Sequence, residues 1–212
     1  MRTIMRRAVV GLGALALGAA VAGPAAGAKQ TTLEKVVESY LTACPSPRTS
    51  QPFLPWGDSA PYALVEGGDF EPASGAWTLA GGAAVVAGNE PFYVSRRKDA
   101  QSLSLPAGGS ATSPAFCVSI GTPTFRLFVR NGGDPDSTLG IDVGLVGASG
   151  VTWSRIATVK AGAAWGPSGV LWIGVPFWSL DASGTATVVL RLTPEGAGAW
   201  QVDDLFLDPF KR

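Results

Sequence analysis

The chain has 212 residues, balances 16 Lys and Arg against 16 Asp and Glu, and contains no His. Charge neutrality argues against nucleic acid as a partner, and the missing imidazole excludes Ser–His–Asp and Cys–His catalysis and the commonest metal ligand. Gly, at 28 residues, is nearly twice as frequent as in average proteins, which favours many turns over long helices.

The first 28 residues read as a secretory leader. Arg2, Arg6 and Arg7 form a positive start, Ala8 to Val21 is apolar, and Ala26-Gly27-Ala28 fits the small-x-small cleavage rule. The expected mature protein starts at Lys29, is slightly acidic, and has no later apolar run long enough to span a bilayer. It is expected to be secreted or extracellular, in some association with the cell envelope, and monomeric. The remainder suits one domain.

Residues 31–42 are expected to form a short helix. Thr31 and Glu34 have capping-box spacing, Leu33, Val36, Val37, Tyr40 and Leu41 make one apolar face, and Pro45 and Pro47 end it. Residues 29–61 therefore divide into this helix and a Pro-rich connector whose aromatics, Phe53 and Trp56, are expected to pack down. The two cysteines, Cys44 and Cys117, are expected to be bridged in an exported chain.

From Tyr62 to the end, over 62–212, the chain reads as β. Phe125, Leu127 and Val129 alternate with Thr124, Arg126, Phe128 and Arg130. Leu139, Ile141, Val143 and Leu145 alternate with Thr138, Gly140, Asp142 and Gly144. Val188, Leu190 and Leu192 alternate with Thr187, Val189 and Arg191. Each pattern suits a sheet with one face in the core. Residues 131–136 and 181–184 are turns by composition. Eight or more strands joined by turns point to an all-β antiparallel sandwich.

The last strand slips phase. Trp200 and Val202 share one face, yet Leu205 and Leu207 fall on the other. One extra residue at Asp203–Asp204 returns both leucines to the core, which predicts a β-bulge. Glu71, Asp203 and Asp204 are the one acidic constellation with a chemical reading. Either hard carboxylate oxygens gather a structural Ca²⁺ where two strands meet, or the acids are satisfied by backbone N–H groups or an Arg. No catalytic set emerges. The few lysines lie in no Ser-x-x-Lys context, and a glycosidase carboxylate pair has no support beyond spacing. The chain is expected not to be an enzyme.

Seven Trp residues suggest sugar stacking, since aromatic faces pack on pyranose rings. Trp77 and Trp200 flank the acidic strands and read as core. Trp153, Trp165, Trp172 and Trp178 are the candidates for ligand contact, with core or edge packing the alternative. Arg96-Arg97-Lys98, following Phe92-Tyr93, is either a solvated loop or a contact for an acidic polymer.

Gly67-Gly68-Asp69-Phe70-Glu71 with Trp77, the Ser102-Leu103-Ser104-Leu105 strand and the closing Trp200-Gln201-Val202-Asp203-Asp204-Leu205 resemble the galactose-binding-like jelly-roll carbohydrate-binding modules over roughly residues 64–208. Gly67 stands where Asn is common in that group. The resemblance implies a jelly-roll β-sandwich, with Glu71 and Asp203 at positions that bind a structural Ca²⁺. It also implies a non-catalytic module for a polysaccharide or cell-wall glycan. A structural or adhesive envelope protein with the same fold and no sugar pocket is the alternative. The whole chain is also similar to secreted proteins of high-GC Gram-positive bacteria, through the Cys44 region, Phe53-Leu54-Pro55-Trp56, Gly88-Asn89-Glu90-Pro91-Phe92 and the closing strand.

Overall fold

The computed structural model describes Cys44 and residues 48–72, 77–176 and 179–208. The expected leader and the helix expected over 31–42 lie outside these residues. Among the described residues the one complete helical element is a 3-10 turn, Leu54–Trp56.

The rest is strand and turn, arranged as two antiparallel sheets in a jelly-roll-like sandwich. The first sheet centres on β14 (Trp200–Asp208). One edge of β14 pairs with β8 (Thr124–Asn131), which carries the short β11 (Gly166–Pro167) and β12 (Leu171–Trp172) on its far side. The other edge pairs with β5 (Gln101–Leu105) and β2 (Tyr62–Leu64). Beyond these lie β4 (Ala84–Ala87) and β1 (Thr49–Ser50). The second sheet runs β10 (Gly150–Val159), β9 (Thr138–Gly147), β13 (Thr185–Glu195), then β6 (Ser110–Thr112) and β3 (Thr78–Ala80). β7 (Phe116–Ser119) pairs with the start of β13.

The period-2 residues behave as their alternation requires. Leu103, Leu105, Leu127, Ile141, Leu190 and Trp200 are fully buried between the sheets, and each such side chain is worth about 1.5–3 kcal/mol of burial. The expected turn at 181–184 is closed by Asp181, whose carboxylate accepts from the N–H groups of Ser183 and Thr185.

The bulge falls where the phase slip put it. Asp203 pairs with Phe128 and Phe206 with Arg126, so Asp204 and Leu205 together stand against Leu127. Asp204 takes up the extra residue in the left-handed region, φ 46°. Trp200, Val202, Leu205 and Leu207 then all reach the core.

One expectation is corrected here. β8 is buried on both faces, with Arg126 and Phe128 covered as well as Phe125 and Leu127. The reason is the preceding connector. Phe53 and Tyr62 lie over the outer face of the first sheet and form a second cluster with Phe128 and Phe206. The Phe53 ring stacks on Phe128 at 5.4 Å and meets Tyr62 edge-on at 4.8 Å. Arg126 lies over Phe53 and binds Asp58 at 2.9 Å, so its charge is paired and its stem is packed. The expected packing of the connector holds for Phe53, whereas Leu54 and Trp56 remain exposed at its tip. Cys44 and Cys117 are bridged, Cα atoms 5.6 Å apart, which ties the start of this cover to β7 of the second sheet.

Candidate functional site

The first and last of the stretches that the resemblance rests on meet in space. The turn after β2 docks on the bulge through Val65 N–H donating to Leu205 O (2.9 Å) and Leu205 N–H donating to Gly68 O (3.0 Å). Only Gly fits at 68, because a Cβ there would lie 2.8 Å from Leu205 O. Trp77 braces the same turn by donating its indole N–H to Gly67 O at 2.8 Å, against the ring of Phe70. Trp77 and Trp200 thus pack on the core as read from the sequence.

Around this contact lies a seam of acids. Asp203 is fully buried and accepts from Glu90 N–H (3.0 Å) and Asp204 N–H (2.9 Å). Burial pushes its carboxyl up to about 8, the two N–H bonds oppose this, and the charges of Glu90 and Asp99 add to it. Asp204 is also fully buried, and neither of its carboxylate oxygens has a hydrogen-bond partner. Burial and then Asp203, Glu90, Asp99 and Asp69 push it up to about 9. Asp99 is displaced upward as well, chiefly by burial. Asp69 meets the Arg96 guanidinium at 3.3 Å.

Glu71 sits one step out. Its carboxylate accepts from Ala100 N–H (2.6 Å) and Gln101 N–H (3.0 Å), pinning the start of β5. The structure therefore joins Asp203 and Asp204 closely and places Glu71 at the rim. It adds Asp69, Glu90 and Asp99, which the sequence analysis did not single out as ligands. The available signal was weak: Glu90 stands in a Pro- and aromatic-containing loop, and its burial depends on a β14 more than a hundred residues away.

The seam is strained as well as crowded. Phe70, Tyr93 and Asp204 are the non-glycine residues with positive φ among those described. Each belongs to one of the three segments that build the seam, and such strain persists only where surrounding contacts impose it. Hard carboxylate oxygens are the donors Ca²⁺ takes, and both oxygens of Asp204 and one of Asp99 are buried without a hydrogen-bond donor. Among the described residues, no three acidic side chains converge into a coordination shell.

The four candidate tryptophans do not gather in one place. Trp153 lies half-buried on the outer face of the second sheet. It sits over Gly144, where a Cβ would come within 2.9 Å of the ring, and beneath Arg191 at 4.1 Å. Arg191 and Arg155 share Asp142, at 3.2 and 2.7 Å. Trp165 packs against the Phe53 cluster, 5.3 Å from Arg130. Trp178 lies outside the described residues. Trp172 alone of the three described is open, at 65% exposure.

Trp172 stands at the mouth of a cleft of about 460 Å³ at one end of the sandwich. Val118, Ile120, Val170, Ile173 and Val175 give it apolar walls, and Thr124 and Asp208 supply polar groups. Thr124 donates to Asp208 at 3.2 Å, which orients that carboxylate. A flat aromatic face beside apolar walls and a few fixed polar atoms is the composition of a small-molecule or sugar site.

No protein-family model matches the chain, and no curated protein matches it by sequence. Solved structures show similarity of shape. The chain is similar to the CBM22-1 xylan-binding domain from Paenibacillus barcinonensis Xyn10C at 14% identity and TM-score 0.43, over 62% of this chain and 84% of that one. It is similar to TmCBM61, solved with β-1,4-galactotriose, at 18% identity and TM-score 0.37, over 68% and 92%. It is also similar to the enzymatically active domain of tailspike protein 4 from bacteriophage CBA120, at 16% identity and TM-score 0.40, over 68% and 21%.

Proposed function

We propose that this protein is a secreted, non-catalytic glycan-binding module that takes a polysaccharide chain at the Trp172 cleft and uses the acidic seam to seat a structural Ca²⁺. The observation that carries the reading is the exposure of Trp172. An indole left 65% open costs apolar hydration that a structural role would avoid, and its ring is free to stack on a sugar face. Trp153 and Trp165 have already given a face to an arginine, which supports Trp172 as the platform.

In the seam, Asp203, Asp204 and Asp99 would supply oxygens to the ion, with Asp69 and Glu71 at the margin. The ion would contribute positive charge where buried carboxylates repel one another. Asp203 and Glu90 would keep holding the surrounding backbone N–H groups.

The test is a panel of neutral plant and cell-wall polysaccharides run in affinity electrophoresis with wild type and Trp172→Ala. Loss of one stacked ring is expected to weaken binding about thirtyfold, about 2 kcal/mol. Because the residue is exposed, the variant is expected to melt within about 0.5 kcal/mol of wild type. Retention unchanged by Trp172→Ala would remove the cleft as the site. Retention of no polymer by wild type would favour the structural or adhesive alternative. Trp153→Ala serves as the contrast, expected to lower stability while leaving retention in place.

A further inference from the structure

We infer that the loop over 88–100 forms a second binding face, distinct from the Trp172 cleft, for an acidic saccharide whose rings stack on exposed aromatics while its anionic groups meet a cluster of cations. The loop is closed at its neck by Gly88 N–H donating to Ala100 O at 2.7 Å. It is an Ω-like excursion with its ends together, a form often used for function.

One limb presents Phe92 and Tyr93, 44% and 49% exposed. Trp56 extends the patch from the connector, its ring 4.8 Å from Phe92 and edge-on to it. Single exposed aromatics are ordinary, but two in ring contact, Trp56 and Phe92, with Tyr93 exposed next in the chain, mark an interaction surface. The other limb presents Arg96, Arg97 and Lys98, all exposed. Arg96 binds Asp69, and among the described residues Arg97 and Lys98 enter no ion pair. Chain length alone keeps Lys98 within about 17 Å of Tyr93.

This face is braced from beneath. The buried Glu90 carboxylate accepts from the N–H groups of Phe92 and Val94, which holds Tyr93 at φ 53°. Glu90 in turn donates its own N–H to Asp203. Glu71 grips the exit of the loop at Ala100 and Gln101. A left-handed tyrosine, buried carboxylate braces and exposed rings together describe a surface held in shape at a conformational cost. Charge selects the occupant. Arg97 and Lys98, exposed and in no ion pair among the described residues, share this loop with the rings and complement a sugar polymer bearing carboxylates, which offers both ring faces and negative charge.

The experiment measures binding of polygalacturonate, with linear polyphosphate as an anion lacking sugar rings, at 0.15 M salt. Three variants are compared with wild type: Tyr93→Gly, the double variant Arg97→Ala/Lys98→Ala, and Trp172→Ala. Glycine suits the positive φ at 93, so Tyr93→Gly removes the ring and keeps the loop. Saturable polygalacturonate binding is expected, weakened about tenfold by Tyr93→Gly and by the double variant and unchanged by Trp172→Ala. No saturable binding would overturn the inference. So would binding indifferent to Tyr93→Gly, or polyphosphate binding as tight as polygalacturonate, since either reduces the face to simple ion exchange. Failure of neutral polymers at the cleft leaves this result readable, because the two faces share no residue.

Discussion

In chelator, the protein is expected to melt at a higher temperature at pH 5 than at pH 8, and added Ca²⁺ is expected to narrow the gap. Asp203 and Asp204 have folded pKa values near 8 and 9 against an ordinary carboxylate value of 3.8, because burial disfavours their charged forms. The folded state then binds more protons than the unfolded one across the interval from about pH 4 to pH 8. Stability is fully present below the unfolded pKa and falls as pH rises through the folded values. For one proton retained over three pH units the loss is about 4 kcal/mol, a fall in melting temperature of about 10 °C for a domain of this size.

Ca²⁺ acts in the opposite sense. It requires ionised carboxylates, so its stabilising effect grows with pH and its binding releases protons. At pH 8, a hundredfold excess over the dissociation constant contributes about 2.7 kcal/mol. Asp204→Asn is expected to make the pH profile shallower, leaving the part that belongs to Asp203, and to abolish the Ca²⁺ response, since the amide needs no proton and is a poorer ligand. Identical melting curves in Ca²⁺ and chelator at pH 8 would dispose of the metal. A profile flat from pH 5 to 8 in chelator would show that the buried acids are ionised without help.

Replacing both bridged cysteines, Cys44→Ser with Cys117→Ser, is expected to lower the melting temperature by about 10 °C. The bridge joins residues 73 apart, and loop-closure entropy gives about 4.5 kcal/mol as an upper-end figure for such a loop. Its effect is expected to concentrate on the cover of the first sheet. Cys44 enters that cover, and Phe53 is its central ring, stacked on Phe128 and crossed by Arg126. Loss of the tether should therefore raise hydrogen exchange in β1 and β2 before the β9–β13 core opens. An unchanged melting temperature would mean that the aromatic cluster alone holds the cover in place.

Much of the architecture was legible because a sheet repeats every two residues. The alternations in β8, β9 and β13 located the core, and the broken alternation after Val202 located the bulge to within one residue. Local chemistry sufficed there, since each inference concerns one strand and its own faces. The double burial of β8 was not legible. Arg126 and Phe128 look like solvent-facing residues until Phe53, Tyr62 and Asp58 arrive from a segment some seventy residues earlier.

The candidate sites divide in the same way. The phase slip brought forward Asp203 and Asp204, the resemblance set Glu71 beside them, and composition offered the tryptophans as possible platforms. Glu90 and Asp99 became part of the seam only when a loop folded over the bulge, because burial depends on what packs against a residue and not on its neighbours in sequence. Trp153, Trp165 and Trp172 are equivalent as letters. An arginine from another strand or loop lies against each of the first two, and the third was left open at the end of the sandwich. The sequence by itself determined strand periodicity, the extra residue in β14 and the absence of histidine chemistry. The tertiary structure decided which carboxylates share a buried space and which indole faces solvent, because desolvation and exposure arise from long-range packing.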